Sequence, residues 1–158
     1  MHFSSTQNSL SITGISGDIS LPMEAVTYAE MHQVIDTNTI SVLLLLAALK
    51  PNLLLGERRL AMGMSSLMSS ISSNTWGEQY AYRASKTALN AMWRSLADEW
   101  RSDAIACVLL RPGFVKTDMT AGRGMDVEVS VAGMLGVIEG LSLADTGRCI
   151  GYDGLDRM

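Results

Sequence analysis

The sequence predicts an α/β fold, a parallel sheet built by right-handed βαβ crossovers. Three observations carry that reading. Short apolar runs alternate with longer stretches of helical periodicity along all 158 residues. One run, Ile105 to Leu110 (IACVLL), is apolar at every position, as in a strand covered on both faces. Gln79 to Arg101 places Leu89, Met92, Trp93, Leu96 and Trp100 at i, i+3, i+4, i+7 and i+11, one face of a 3.6-residue helix. The length suits one domain, residues 1–158, and not two.

In chain order, Ser9 to Thr13 reads as a short strand, and Ile15 to Pro22 as a loop. Thr27 to about Leu55 reads as helical. Asn38, a poor helix former within it, marks either a break or a place where the amide binds something. Arg59 to Met64 is a strand, and Thr120 to Asp126 a loop with two glycines. Val131, Met134, Leu135, Ile138 and Leu141 form a helical stripe that Ser130 would N-cap. Arg148 to Tyr152 is a last strand, closed by a turn at Asp153-Gly154.

Composition narrows the function classes. Lys+Arg is 12 and Asp+Glu 16, a net charge of −4 that argues against a nucleic-acid binder. With 47% hydrophobic and 18% charged residues, the chain can bury a core. Cys107 and Cys149 are too few for a disulfide framework and read as a pair of buried thiols in a reducing compartment. The longest apolar run, Val42 to Leu49, has eight residues, short of the ~20 a spanning helix needs. The first residues lack a basic n-region and a long apolar h-region. A cytoplasmic protein without a membrane partner is the expectation.

Ligands of parallel sheets bind outside the carboxyl ends of the strands, which directs attention to the loops after Met64 and after Leu110. The first opens with Ser65 and Ser66 and continues through Ser69, Ser70, Ser72 and Ser73. A solvated serine-rich loop is the plainer reading, and its position at a strand end raises the chemical one. Tyr82 and Lys86 are four apart at the start of the long helix and share a face. They are either a packed Tyr beside a snorkelling Lys, or an acid–base pair. A phenol titrates near 10 and is a poor acid–base group at neutral pH, and a fixed ammonium one turn away would favour the phenolate. A serine hydroxyl beside such a Tyr could hold a carbonyl oxygen while the Tyr exchanges the proton. After the buried strand, Arg111-Pro112-Gly113 turns the chain so that Val115 to Asp118 passes the sheet's carboxyl edge. His2, His32 and the two cysteines have no metal-ligand spacing, and Gly14, Gly17, Gly122 and Gly124 do not form a phosphate loop.

In order and spacing, DTNTIS (Asn38), MSS (Ser66), YAYRASKTALN (Tyr82, Lys86) and RPGFVKTDM (Pro112 to Met119) resemble the short-chain dehydrogenase/reductase family. NTWGEQYAYRASKTALN and VIEGLSLADTGRCIGYDG most resemble its C-factor and sniffer-like carbonyl reductase branch. The resemblance covers nearly the whole chain. It implies a Rossmann-type sheet and hydride transfer between NAD or NADP and a carbonyl or alcohol substrate. It also implies roles: Ser66 orienting the substrate oxygen, Tyr82 as general acid/base and as a cofactor contact, Lys86 lowering its pKa and binding the nicotinamide ribose. Asn38 would hold a water linking Lys86 to solvent, and Pro112, Gly113, Val115 and Thr117 would line the nicotinamide. A homo-oligomer packed through the Asn38-containing helix and the Tyr82–Lys86 helix is implied too, a packing that the Val42–Leu49 run and the Trp93/Trp100 face suit.

The sequence departs from the family in one respect. It contains no TGxxxGxG turn to cradle the pyrophosphate, and SITG (Ser11 to Gly14) stands at the place of the family's NNAG in its fourth strand. Relative to the family, roughly two βαβ units of 30 or more residues each are missing. The expectation is therefore a truncated Rossmann-type domain of about four strands, with an open edge on its first strand and weak cofactor binding. Two function classes follow: an oxidoreductase impaired in its cofactor half, or a non-catalytic C-factor-like signalling or protein-interaction protein that keeps the fold.

Overall fold

The computed structural model describes residues 9–12 and 14–156. Thr13, the expected end of the first strand, lies outside them. The four strands are β1 (Ser9–Ile12), β2 (Leu60–Met64), β3 (Ala106–Arg111) and β4 (Cys149–Gly151). They lie side by side in the order β1-β2-β3-β4, all parallel. Ser9 is opposite Leu60, Leu60 opposite Ala106, and Leu109 opposite Cys149. Within this sheet β1 is an edge, paired only with β2.

The helices are α1 (Tyr28–Ile35), α2 (Ser41–Leu55), α3 (Tyr80–Glu99) and α4 (Val127–Gly140). They cover both faces of the sheet, and the period-2 alternation of β3 shows how. Cys107 and Leu109 join Val42, Leu46, Leu53, Leu89 and Trp93 on one side. Ala106, Val108 and Leu110 join Leu141 and Ile150 on the other, with Val137 and Ile138 of α4 packed on them. A strand apolar at every position is thus explained by two cores.

No break separates α1 from α2. Asp36–Ile40 forms one wide π turn, so Tyr28–Leu55 is a continuous helix. The extra residue in a π turn rotates the following side chains, and both Asn38 and Thr39 are buried. This helix has 28 residues, and an 18-residue stretch of it has a mean hydropathy of 1.6, enough to cross a membrane by length and composition. Val34, Val42, Leu46 and Leu53 are buried inside the protein, while Ile40, Leu44, Leu45 and Leu55 are exposed.

The structure corrects two sequence expectations here. Ser130 is no N-cap. α4 starts one turn earlier, after Asp126, and Ser130 is buried and donates to the carbonyl of Pro112 at 2.7 Å. Val127 and Val129 extend the helix backwards, while Val131 and Leu135 of the expected stripe are exposed. Secondly, the Trp93/Trp100 face is not available to a partner, because Trp93 is 1% and Trp100 3% exposed. The outer edge of the Trp93 indole comes up against β2, where a Cβ at Gly63 would sit 2.8 Å from its ring. The strand's missing side chain makes room for the indole, so this apolar face of α3 serves the sheet.

Candidate active site

A cleft of about 400 Å³ opens at the carboxyl ends of β2 and β3. Ser66, Tyr82 and Lys86 line it on one side. Pro112, Gly113, Val115 and Thr117 line the other. Every site residue expected from the sequence except Asn38 therefore faces one space.

Local structure explains each position. Ser66 begins the 3-10 turn Leu67–Ser69 that follows β2, and its hydroxyl accepts from Met68 N. Tyr82 and Lys86 stand on the first turns of α3. The chain enters that helix through three successive left-handed residues, Gly77, Glu78 and Gln79, with φ of 73°, 59° and 54°. Such a run is costly for non-glycine residues, and Arg83 braces it. Its Nε donates to the carbonyls of Gly77 and Glu78, and its guanidinium lies 4.7 Å from the Trp76 ring centre. Gly113 (φ +85°) makes the turn after β3, and a Cβ there would strike Met125 and Tyr152.

Lys86 is 3% exposed, and its ammonium donates to the Met64 carbonyl at 2.8 Å. Burial pushes its pKa down to about 8, so it remains mostly a cation at neutral pH. Its Nζ is 5.8 Å from the centre of the Tyr82 ring. The phenol itself moves the other way from the sequence expectation. Burial raises the Tyr82 pKa, and a hydrogen bond from Ser66 offsets part of that rise. Desolvation is thus the larger influence on Tyr82, and the Lys86 ammonium is held by Met64 O.

Asn38 lies behind the cleft wall and is fully buried. Its Oδ1 accepts from Ile15 N at 2.8 Å, while Nδ2 donates to Ile15 O at 2.7 Å and to Ser85 Oγ at 3.0 Å. Ser85 Oγ in turn donates to the carbonyl of Tyr82. Both amide hydrogens are thus used, and only Oδ1 keeps capacity to hold a water near Lys86. A Cβ on Gly14 would lie 2.2 Å from Asn38 Oδ1 and 3.2 Å from Lys86 Nζ, so only glycine lets these two groups approach.

Sequence reasoning passed over Ser85, Arg83 and Asn90, and read Gly14 only as an isolated glycine at the end of SITG. Asn90 was legible in principle, since Tyr82, Lys86 and Asn90 recur every four residues. The cysteines offer no chemistry: burial pushes the Cys107 thiol up to about 12 and raises that of Cys149.

A family model described as Enoyl-(Acyl carrier protein) reductase matches residues 5–134. The C-signal of Myxococcus xanthus is 38% identical over 147 residues, 90% of this chain and 86% of that protein. The chain belongs to the short-chain dehydrogenase/reductase family. Among solved structures, the carbonyl reductase Sniffer of D. melanogaster superposes on this short-chain dehydrogenase/reductase with a TM-score of 0.89 and 34% identity. That match covers 96% of this chain and 66% of Sniffer. The NADPH-bound carbonyl reductase from chicken fatty liver gives 0.83 and 32% identity over 92% of this chain and 62% of that one. Our short-chain dehydrogenase/reductase chain thus spans less than two thirds of the length of these reductases, and its four-stranded sheet is one part of their Rossmann-type fold.

Proposed function

We propose that this chain carries the proton-transfer side of an NAD(P)-dependent oxidoreductase acting on a carbonyl or alcohol. The single observation that supports this best is the convergence of Ser66, Tyr82 and Lys86 on one cleft opposite the Pro112–Thr117 segment. In this reading the Ser66 hydroxyl holds the substrate oxygen beside the phenol. Tyr82 hands its proton to that oxygen during reduction and withdraws it during oxidation. Its raised pKa keeps it in the donor form at neutral pH, which suits carbonyl reduction. Lys86 places a buried positive charge behind the phenol as the proton leaves. Asn38 is a positioning residue: it ties Ile15 to Ser85, and Ser85 holds the backbone of Tyr82.

The residues present fit one end of a nicotinamide cofactor. Gly14 and Gly113 keep the cleft walls free of side chains that would fill them, Pro112 and Val115 give apolar surface, and Lys86 offers a donor suited to a ribose hydroxyl. The group would supply the hydride when bound. A glycine-rich strand-to-helix turn for its pyrophosphate does not occur among the described residues. Calorimetry with NADPH and NADH should therefore give a Kd of about 100 μM or weaker. Turnover of a small aromatic aldehyde, followed by loss of NADPH absorbance, should appear only at millimolar cofactor. Low-micromolar affinity would show that the pyrophosphate site lies elsewhere in the chain. Absence of any turnover at saturating cofactor would remove the catalytic reading.

One observation favours a second reading. The similarity to the C-signal extends over most of both chains, whereas the reductases are matched in part. On this reading the chain is a non-catalytic signalling or protein-interaction protein that keeps the fold, and it turns over no carbonyl.

Self-association through the two helices belongs to the same proposal. With Trp93 and Trp100 buried, the surface left for it is the outer side of the Asn38-containing helix, where Ile40, Leu44 and Leu45 are exposed, together with Met92 of α3. Such a stripe is apolar surface in search of cover. Sedimentation velocity should show a dimer or larger species for the wild type and a monomer for the Leu44→Glu, Leu45→Glu double variant. A monomeric wild type would sink this part.

A further inference from the structure

Ser66 has to be held against Tyr82 by something, because it sits in a loop. Besides its contact with Tyr82, its hydroxyl only accepts from Met68 N two residues on. The loop is fixed instead by its neighbours. Ser65 Oγ donates to Asn90 Oδ1 at 2.6 Å. Asn90 Nδ2 donates to Ser69 Oγ at 2.9 Å, and Ser69 Oγ donates to the carbonyl of Ser66 itself at 2.7 Å. Thr87 Oγ1 closes the set on the Ser69 carbonyl at 3.0 Å.

The protons can be counted. Each serine hydroxyl has one hydrogen: that of Ser65 goes to Asn90, and that of Ser69 to Ser66 O. The 3.2 Å approach of Ser65 Oγ to Ser69 Oγ then has no proton left to fill it. Asn90 is the only one of the three that both accepts from one serine and donates to the other. Replacing it removes one partner from each of Ser65 and Ser69, both buried, and frees the Ser65 hydrogen for the longer contact with Ser69 at 3.2 Å, which redraws the network that holds Ser66.

The same helix side carries the chemistry. Tyr82, Lys86 and Asn90 follow one another at four-residue steps on α3, and each reaches the same piece of chain: Tyr82 the Ser66 hydroxyl, Lys86 the Met64 carbonyl, Asn90 the hydroxyls of Ser65 and Ser69. We infer that Asn90 is a positioning residue which, through Ser65 and Ser69, sets the register of the Ser66 hydroxyl against the Tyr82 phenol. This rests on the catalytic reading of Ser66 and Tyr82 for its importance, while its geometry can be tested without turnover.

The test uses the full chain carrying 13Cζ-labelled tyrosine. Four tyrosines give four signals, and Tyr82→Phe assigns one of them. Loss of the Ser66 contact in Ser66→Ala should move the Tyr82 titration upward, since that contact lowers its pKa. Asn90→Leu, which keeps the volume and removes both hydrogen bonds, should move it in the same direction. Combining it with Ser66→Ala should add nothing further, because both act through one contact. Ser69→Ala, a smaller change that removes only the hydroxyl bonded to Ser66 O, should reproduce the shift if Asn90→Leu fails to fold. Where turnover is measurable, Asn90→Leu should lower kcat by about 10- to 100-fold with KM for the cofactor unchanged. A folded Asn90→Leu or Ser69→Ala protein with the Tyr82 signal of the wild type would overturn the inference, and so would additive shifts in the double variant. If the wild type reduces no carbonyl but the shifts appear, the catalytic proposal fails and the positioning by Asn90 stands.

Discussion

Tyr82→Phe is expected to lower carbonyl turnover by about 10²–10⁴-fold, the range that a positioned acid–base group contributes. The substitution removes one oxygen and leaves the ring that lines the cleft, so the melting temperature should stay at the wild-type value. The pH profile separates Tyr82 from Lys86. Lys86 is a cation below about 8 and neutral above it, so the rate of reduction should fall as pH rises through that value. Tyr82 does not produce this step, because burial keeps its phenol protonated beyond its ordinary range. Steady-state kinetics from about pH 6 to about pH 10, with Lys86→Met alongside, measure both effects. A Tyr82→Phe protein with undiminished turnover would show that the proton comes from another group.

Trp93→Ala should cost about 3–5 kcal/mol of stability, the usual range for deleting a large buried aromatic side chain. The indole is almost fully buried in the core beside Leu89 and Leu109, and it rests on the bare backbone of Gly63. Neither the strand nor the helix can close over the cavity without moving the other. For a chain of this size the melting temperature should drop by about 10 °C or more, read by calorimetry or urea unfolding. The sedimentation behaviour of the folded fraction should not change, which is the opposite of the pattern for Leu44→Glu, Leu45→Glu. Were Trp93→Ala to dissociate an oligomer while leaving the melting temperature in place, the indole would belong to an interface and not to the core.

These predictions draw unequally on sequence and structure. The alternation of strands and helices was legible because each element carries its own periodicity. β2, β3 and α3 fall within two residues of their expected limits. The Tyr82–Lys86 pair was legible because residues four apart share a helix face, and the strand end drew attention to the serine loop, while Ser66 within that loop was singled out by the family resemblance. The start of α4 was not, since Ser130 looks like a cap until its hydroxyl is seen to reach the Pro112 carbonyl. Nor was the direction of the Tyr82 pKa. A charge one helical turn away argues for a lowered value, yet burial, a property of the whole fold, raises it here, and only the Ser66 hydrogen bond works against that rise.

The order of elements, the parallel sheet and the residue types of the cleft follow from the chain itself, because backbone geometry and apolar spacing act over a few residues. Which apolar face meets the sheet, how the carboxamides of Asn38 and Asn90 are used, and whether Lys86 speaks to a phenol or to a carbonyl were settled only by packing. Those outcomes depend on groups 21 to 47 positions apart in sequence, and distance along the chain carries no information about which of them will compete for the same hydrogen bond.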